Sequence, residues 1–106
     1  MSESEFRRVE MLRLQIDGLD LEILELLNRR ASCALDIGVA KRRQGRSIYD
    51  AEREASIVRR VLESNRGPLE AAAIRRLFER ILDESRRLER LANEGGDPAG
   101  PERRSG

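Results

Sequence analysis

The chain has 106 residues, of which 39% are hydrophobic, 39% charged and only 3% aromatic. This size suits one domain with a modest core, and the abundance of charged, helix-forming residues favours amphipathic helices over a sheet. The 21 basic and 20 acidic residues leave a net charge of +1, without the basic surplus that nucleic-acid binding usually requires. We therefore expect a helical domain that does not bind nucleic acid.

The residue types that are missing exclude several kinds of site. The chain has no histidine, the most common general base near neutral pH and the most common metal ligand. Its one cysteine, Cys33, cannot form an internal disulfide or a cysteine-based zinc site, and its small neighbours predict that it packs in the core. No signal peptide or membrane-spanning apolar stretch is present in the sequence. We expect a cytoplasmic protein with no metal and no membrane association.

The first predicted helix extends from about Glu5 to Arg43. Its apolar residues recur every three or four positions, at Leu12, Ile16, Leu19, Ile23, Leu26, Ala34 and Ile37. A helix of nearly forty residues is about 55–60 Å long, more than two short helices can cover in one compact chain. An intertwined homodimer of long helices would bury the stripe. A bare leucine-zipper rod is the alternative, although two further amphipathic helices argue against it.

Two shorter helices and a tail follow. The stretch QGRSIYD interrupts the apolar pattern, and a second helix begins after it and ends at the Gly-Pro breaker in SNRGP. The third is predicted over residues 69–93. Residues 94–106 are rich in glycine and proline, which predicts a disordered tail. The expected fold is thus all-α, with one long and two shorter helices in a domain that covers residues 1–93.

Two cations interrupt the apolar stripe of the first helix. Arg30 and Lys41 are eleven residues apart, close to three turns, so they project from nearly the same side with about 16 Å between them. An unpaired buried charge is costly, so inward-facing cations require an anionic partner. Lys41 is also the only lysine in the chain, which favours a compact ammonium at this point. Taken singly, Arg30 could instead extend to solvent and Lys41 could complement the helix dipole.

The other helices also carry polar residues on their apolar sides. Asp50 and Glu54 are one turn apart in the second helix, and Ser85 and Glu89 continue the stripe of the third. Each has a simpler interpretation: an N-cap for Asp50, a surface acid for Glu54, a bond within its own helix for Ser85, and a surface ion pair with Arg86 or another arginine for Glu89. Their coincidence on three stripes favours one shared polar site.

One more cation, Arg13, precedes Arg30 by seventeen residues, or about 25 Å along the helix. From that distance Arg13 cannot reach the ligand of Lys41 in its own subunit. In an antiparallel dimer, the N-terminal part of one long helix passes near the middle of the other. The spacing therefore permits Arg13 to complete the site of the partner subunit.

These residues lie in stretches that resemble the all-helical (AroQ-class) chorismate mutases of the shikimate pathway. The matching stretches are LRLQIDGLDLEILELLNRRA, IGVAK, YDAERE and IRRLFERILDESRRLE. They follow the family order and spacing from about Arg13 to Glu89. The resemblance implies an intertwined three-helix homodimer that catalyses the Claisen rearrangement of chorismate to prephenate, with no cofactor, metal or covalent intermediate.

The resemblance also implies a role for each polar residue. Arg30 and the Arg13 of the partner subunit would bind the two carboxylates of chorismate, while Lys41 would contact a carboxylate and the ether oxygen. Asp50 and Glu54 would hold the hydroxyl end of the substrate, and Arg53 would support the site. Ser85 would lie beside a carboxylate, and Glu89 would face the ether oxygen from the side opposite Lys41. Such donors would stabilise the charge that grows on that oxygen in the transition state.

Glu89 carries a specific expectation, because members of the family have either Gln or Glu here. An ionised carboxylate would repel the developing charge, so Glu89 must be protonated to help. Activity should therefore fall as pH rises, and Glu89→Gln should flatten the profile.

Related functions remain as alternatives. Relatives on this scaffold rearrange 4-amino-4-deoxychorismate or eliminate pyruvate from isochorismate, and the charge pattern does not separate these dianions. A non-catalytic helical module that regulates another shikimate-pathway enzyme is the other alternative, and such an enzyme is a possible partner.

Overall fold

A computed structural model describes residues 2–94, in which three α-helices and no β-strands are found. The helices are α1 (Glu3–Gln44), α2 (Ala51–Ser64) and α3 (Ala71–Asn93). The predicted all-α class, with one long and two shorter helices, is confirmed. The predicted tail lies outside the described residues, apart from Glu94, which caps the C-terminus of α3. No helix within residues 2–94 is both long and apolar enough to cross a membrane.

The chain divides into two compact units, Met1–Ser32 and Cys33–Gly106. In the first unit, α1 begins with a capping box formed by Ser2 and Glu5. The Ser2 hydroxyl accepts a hydrogen bond from the Glu5 backbone N–H at 3.1 Å, and the Glu5 carboxylate accepts one from the Ser2 N–H at 2.9 Å. Two N–H groups that the first turn leaves unpaired are satisfied in this way. The Ser2 backbone N–H is the main reason that the pKa of the Glu5 carboxyl group is lowered below its ordinary value, and the Ser2 hydroxyl adds to the effect.

The apolar stripe of the first unit is exposed in the single chain. Its large side chains keep about half of their surface open to solvent: Leu12, Ile16, Leu19, Ile23 and Leu26 are 41–58% exposed. A contiguous apolar stripe of this length is unusual on the surface of a monomeric protein. The expectation that one copy does not cover its long helix is thereby confirmed.

In the second unit, α1 ends at a left-handed glycine. Gly45 has a φ of +66°, which a residue without a Cβ adopts at little cost. The backbone N–H of Arg46 then reaches back to the carbonyl of Lys41 at 2.9 Å, the 6→1 bond of a Schellman motif. This turn directs residues 46–50 away from the helix axis and into α2.

The remaining core lies between α2 and α3. Ile57 and Val58 of α2 pack against Leu82 of α3, and Leu62 and Phe78 extend the cluster. Burial of each large side chain contributes about 1.5–3 kcal/mol, so this cluster sets how the two shorter helices pack.

Cys33 departs from its predicted place. It was expected in the core, but it is exposed in the single chain. The helix turns its neighbour Ala34 inward instead, with 4% of its surface exposed. Adjacent residues on a helix point about 100° apart, so only one of the two can occupy the inner face.

Candidate active site

Lys41 lies at the centre of the polar residues of the second unit. Its ammonium donates to Oε1 of Glu89 on α3 at 3.0 Å and to the carbonyl oxygen of Ile48 at 2.8 Å. The side chains of Lys41 and Glu89 are each only 13% exposed. The anionic partner that an inward-facing cation requires is therefore Glu89 in the free chain, and the alternative pairing of Glu89 with Arg86 is wrong.

A glycine lets α1 approach α3 closely enough for this pair to form. A Cβ placed on Gly38 would lie 2.6 Å from the Glu89 carbonyl oxygen and 2.8 Å from the Glu89 Cα. Ala92, one turn further along α3, is fully buried at the same contact. Since Gly38 precedes Lys41 by three residues, the same face of α1 that contacts the backbone of Glu89 also presents the ammonium to its carboxylate.

Asp50 caps the N-terminus of α2. Its Oδ1 accepts a hydrogen bond from the Arg53 backbone N–H at 3.0 Å, which satisfies one of the donors that a first helical turn leaves open. The simpler interpretation of Asp50 as an N-cap is thus confirmed. The Arg53 side chain is exposed. Arg53 takes part in this cap through its backbone N–H and not through its guanidinium.

Glu54 is held by an arginine that the sequence analysis placed elsewhere. Nε of Arg86 on α3 donates to Oε2 of Glu54 at 2.7 Å, and Nη2 donates to Oδ1 of Asp83 at 2.5 Å. The guanidinium carbon also lies 5.4 Å from the centre of the Tyr49 ring, within the range of a cation–π interaction. The hydrogen bond to Glu54 is the main reason that the pKa of Arg86 is raised. Glu54 is therefore a partly buried ion-pair partner and not a free surface acid.

An open groove of about 710 Å³ runs along α2 and α3 beside this ion pair. Its lining includes Tyr49, Glu54 and Arg86 together with the apolar side chains of Val58 and Leu82. Both acidic and basic side chains line the groove, so it has no uniform preference for anions.

The structure brings some of the predicted site residues together and leaves others apart. Lys41 and Glu89 contact each other directly, whereas Glu54 pairs with Arg86. Ser85 is half-buried on α3, where it directly precedes Arg86. Each element thus contributes at least one of these side chains, as the stripes predicted.

Two of the predicted site residues, Arg13 and Arg30, lie in the first unit. Arg30 is half-buried. Arg13 is exposed, with 71% of its side-chain surface open, and forms an ion pair with Glu10 one turn earlier at 3.2 Å. Exposed pairs of this kind contribute little to stability, so Arg13 is readily released to another ligand.

The sequence did not predict three features of the site. They are the contact of the Arg86 guanidinium with Glu54, the close helix packing at Gly38, and the Ile48 carbonyl as an acceptor for Lys41. Arginine makes up almost all of the basic residues, so composition does not distinguish Arg86. Gly38 does carry a signal, because a glycine inside an amphipathic helix often marks close packing. Within residues 2–94 no group of three or more potential His, Cys, Asp or Glu ligands is placed to hold a metal ion.

The chain was compared with known proteins. Residues 12–90 match the family model described as chorismate mutase type II. The bifunctional chorismate mutase/prephenate dehydratase of Pseudomonas aeruginosa is 37% identical over 87 residues, which cover 77% of this chain and 24% of that protein. Its counterpart in Neisseria gonorrhoeae is 41% identical over 78 residues, or 74% of this chain and 21% of that protein. The chain thus spans about a quarter of the length of these relatives.

Solved structures give the same result for the fold. The chorismate mutase of Thermus thermophilus in its form II superposes with a TM-score of 0.76 at 34% identity, and the match covers 77% of this chain and 93% of that one. Form I gives a TM-score of 0.72 at 33% identity. The family match covers every polar residue of the site described above, and the chain belongs to the chorismate mutase type II family.

Proposed function

We propose that this chain catalyses the rearrangement of chorismate to prephenate. The reaction is intramolecular: the ether C–O bond breaks as a new C–C bond forms, and no group is gained or lost. It requires no nucleophile and no general base, which suits a chain without histidine. Catalysis then depends on holding the substrate in a reactive conformation and on stabilising the charge of the transition state.

The Lys41–Glu89 pair is the observation that carries the proposal. An ammonium and a carboxyl group, each only 13% exposed, face each other from two helices at 3.0 Å. In this proposal, chorismate enters between them, and Lys41 exchanges Glu89 for the carboxylate and ether oxygen of the substrate. The released Glu89 carboxylate takes up a proton from solvent and then donates to the same oxygen. A partly desolvated ammonium interacts with an anion more strongly than one in water.

The other polar residues complete the proposed site. Arg30 would hold one carboxylate of the dianion through a bidentate contact, with Ser85 beside it. Asp50 and Glu54 would bind the hydroxyl end, and Arg53 would support them. The second oxygen of the Asp50 carboxylate is not used by the N-cap bond to Arg53, so capping and substrate binding are compatible.

A homodimer would complete the site with Arg13. The exposed stripe from Leu12 to Leu26 gives a second copy an apolar surface to cover. The weak, exposed pairing of Arg13 with Glu10 leaves its guanidinium available to the other subunit. We therefore extend the proposal to an antiparallel dimer in which each Arg13 acts in the site of its partner.

The first experiment measures chorismate consumption by the purified protein and identifies prephenate as the product. Lys41→Ala removes the central ammonium and should abolish turnover. Arg42→Ala is the matched control, since it removes an exposed cation one residue away and should leave the rate within about twofold of wild type. Equal turnover by wild type and Lys41→Ala would contradict the proposed site.

The shared site is tested by mixing two inactive variants. Arg13→Ala and Lys41→Ala are unfolded together and refolded as a mixture. If Arg13 acts across the dimer, half of the dimers regain one intact site, and activity returns to about a quarter of wild type. No recovery would show that Arg13 acts in its own subunit, and an Arg13→Ala variant that is active by itself would show that Arg13 does not act in the site.

Two related activities are separated by substrate. 4-Amino-4-deoxychorismate and isochorismate carry the same charges on their carboxylates, so turnover on each is compared with turnover on chorismate. A preference for either would move the proposal to that reaction on the same site. Absence of turnover on all three would favour a regulatory module that acts on another shikimate-pathway enzyme.

A further inference from the structure

Arg86 is fixed by three groups from three parts of the second unit. It donates to Glu54 on α2 at 2.7 Å and to Asp83 on its own helix at 2.5 Å, and its guanidinium lies 5.4 Å from the Tyr49 ring in the loop before α2. An exposed arginine normally samples many rotamers. Here a planar, always-charged group is held through two of its nitrogens and lies over the Tyr49 ring, so the direction from which it donates to the Glu54 carboxylate is restricted.

This arrangement acts on the first turn of α2 in particular. Tyr49 immediately precedes Asp50, the residue that caps α2, and Glu54 lies one turn further along. One guanidinium therefore contacts the chain on either side of Asp50, at Tyr49 and at Glu54. On α3, Arg86 follows Ser85 directly and precedes Glu89 by three residues, so the same segment of α3 also carries the other half of the proposed site.

The charge of Arg86 has a second consequence. Two acids, Asp50 and Glu54, lie in a site proposed to bind a dianion, and like charges repel. The Arg86 side chain is 34% exposed and the Glu54 side chain 20% exposed, so the screening of their attraction by water is incomplete. Arg86 therefore offsets the charge of Glu54 where a dianionic ligand would meet it.

We propose that Arg86 is a positioning residue, which orients the Glu54 carboxylate toward the hydroxyl end of the substrate and offsets its charge. This inference rests on the proposed chorismate mutase activity. Arg86 touches no substrate in this scheme, and its effect on the reaction passes through Glu54.

The test is a double-mutant cycle on kcat and KM for chorismate, with wild type, Arg86→Met, Glu54→Gln and the double variant. Arg86→Met keeps an unbranched side chain but removes the charge and the donors. It should lower kcat/KM by about 10- to 100-fold, because a small misplacement of a contact group costs that much. In the Glu54→Gln background, Arg86→Met should lower kcat/KM by less than about twofold, since the Glu54 carboxylate on which Arg86 acts is already absent.

Two further variants control the cycle. Arg80→Met removes an arginine of the same helix that pairs with Glu84 and whose side chain is 75% exposed. The kinetics of this variant should equal those of wild type. Arg86→Lys retains the charge on a single donor nitrogen but not the planar geometry of the guanidinium. It should therefore recover part of the kcat/KM that Arg86→Met loses. If Arg86→Met does not fold, the cycle is run with Arg86→Lys.

The outcomes separate the inference from the function on which it rests. No turnover by wild type overturns the proposed function, and this inference with it. Wild-type turnover with unchanged kinetics in the Arg86 variants overturns the positioning role alone. An equal loss in both backgrounds also overturns it, because Arg86 would then act on the stability of the helix pair and not through Glu54.

Discussion

The backbone of Gly38 packs directly against the backbone of Glu89. A Cβ at position 38 would meet the Glu89 carbonyl oxygen at 2.6 Å, closer than van der Waals contact allows. The carboxyl group proposed to act on the substrate and the helix contact that positions it therefore belong to the same residue. A change in helix packing at this point must move Glu89.

Two alanine substitutions in α1 are expected to have opposite effects on stability. A Cβ at Gly18 would have no atom beyond the adjoining helix backbone within 4 Å. Gly18→Ala should therefore raise the free energy of unfolding by about 0.8–1 kcal/mol, because alanine has the higher helix propensity. Gly38→Ala gains the same propensity but must displace the backbone of α3, which we expect to lower the free energy of unfolding by about 1–3 kcal/mol. Urea unfolding at one fixed protein concentration measures both. Stabilisation by Gly38→Ala would show that α1 and α3 are not in close contact.

In the proposed reaction, the rate of the wild-type protein is expected to fall as pH rises, while that of Glu89→Gln stays flat. In the structure the Glu89 carboxylate pairs with Lys41 at 3.0 Å, and an ionised carboxylate cannot donate to the ether oxygen. The amide of glutamine, by contrast, donates at every pH. The measurement is kcat on chorismate from mildly acidic to alkaline pH. A wild-type rate that does not change over this range would refute the role of a protonated Glu89.

The two roles assigned to Asp50 are separable by substitution. Asp50→Ala removes the oxygen that caps α2 and should cost about 0.5–2 kcal/mol of stability. Asp50→Asn keeps a capping oxygen and removes the charge, so its stability should remain close to wild type while the affinity for substrate changes. Thermal unfolding and KM are measured on both variants. An equal loss of stability in both would show that the charge of Asp50, not its capping bond, holds the helix start.

The pH dependence of the capping box at Ser2 has a definite sign. The hydrogen bonds from Ser2 lower the pKa of Glu5 in the folded chain, so the box is fully stabilising above the unfolded pKa and is lost as pH falls through the folded one. An NMR titration of the Glu5 carboxyl carbon measures this pKa directly. Ser2→Ala should raise it toward its ordinary value, because the hydroxyl that orders the box is gone. An identical titration in both proteins would exclude the box in solution.

Local signals in the sequence determined the helices and their ends. The period of the apolar residues predicted α1, α2 and α3 within a few residues, because each helix is built from bonds between residues four apart. Asp50 was identified as a cap for the same reason: its oxygen bonds three residues along the chain. The same patterns predicted that polar residues would face inward from all three helices.

Only the tertiary structure decided which of those polar residues meet. Lys41 and Glu89 are 48 residues apart in the chain, and Arg86 and Glu54 are 32 apart. Both pairings depend on how closely the helices pack, which Gly38 and the core between α2 and α3 determine. Periodicity places a side chain on a face of its own helix, but the partner across that face is set by side-chain volume at the helix contact, and no spacing along the chain encodes it.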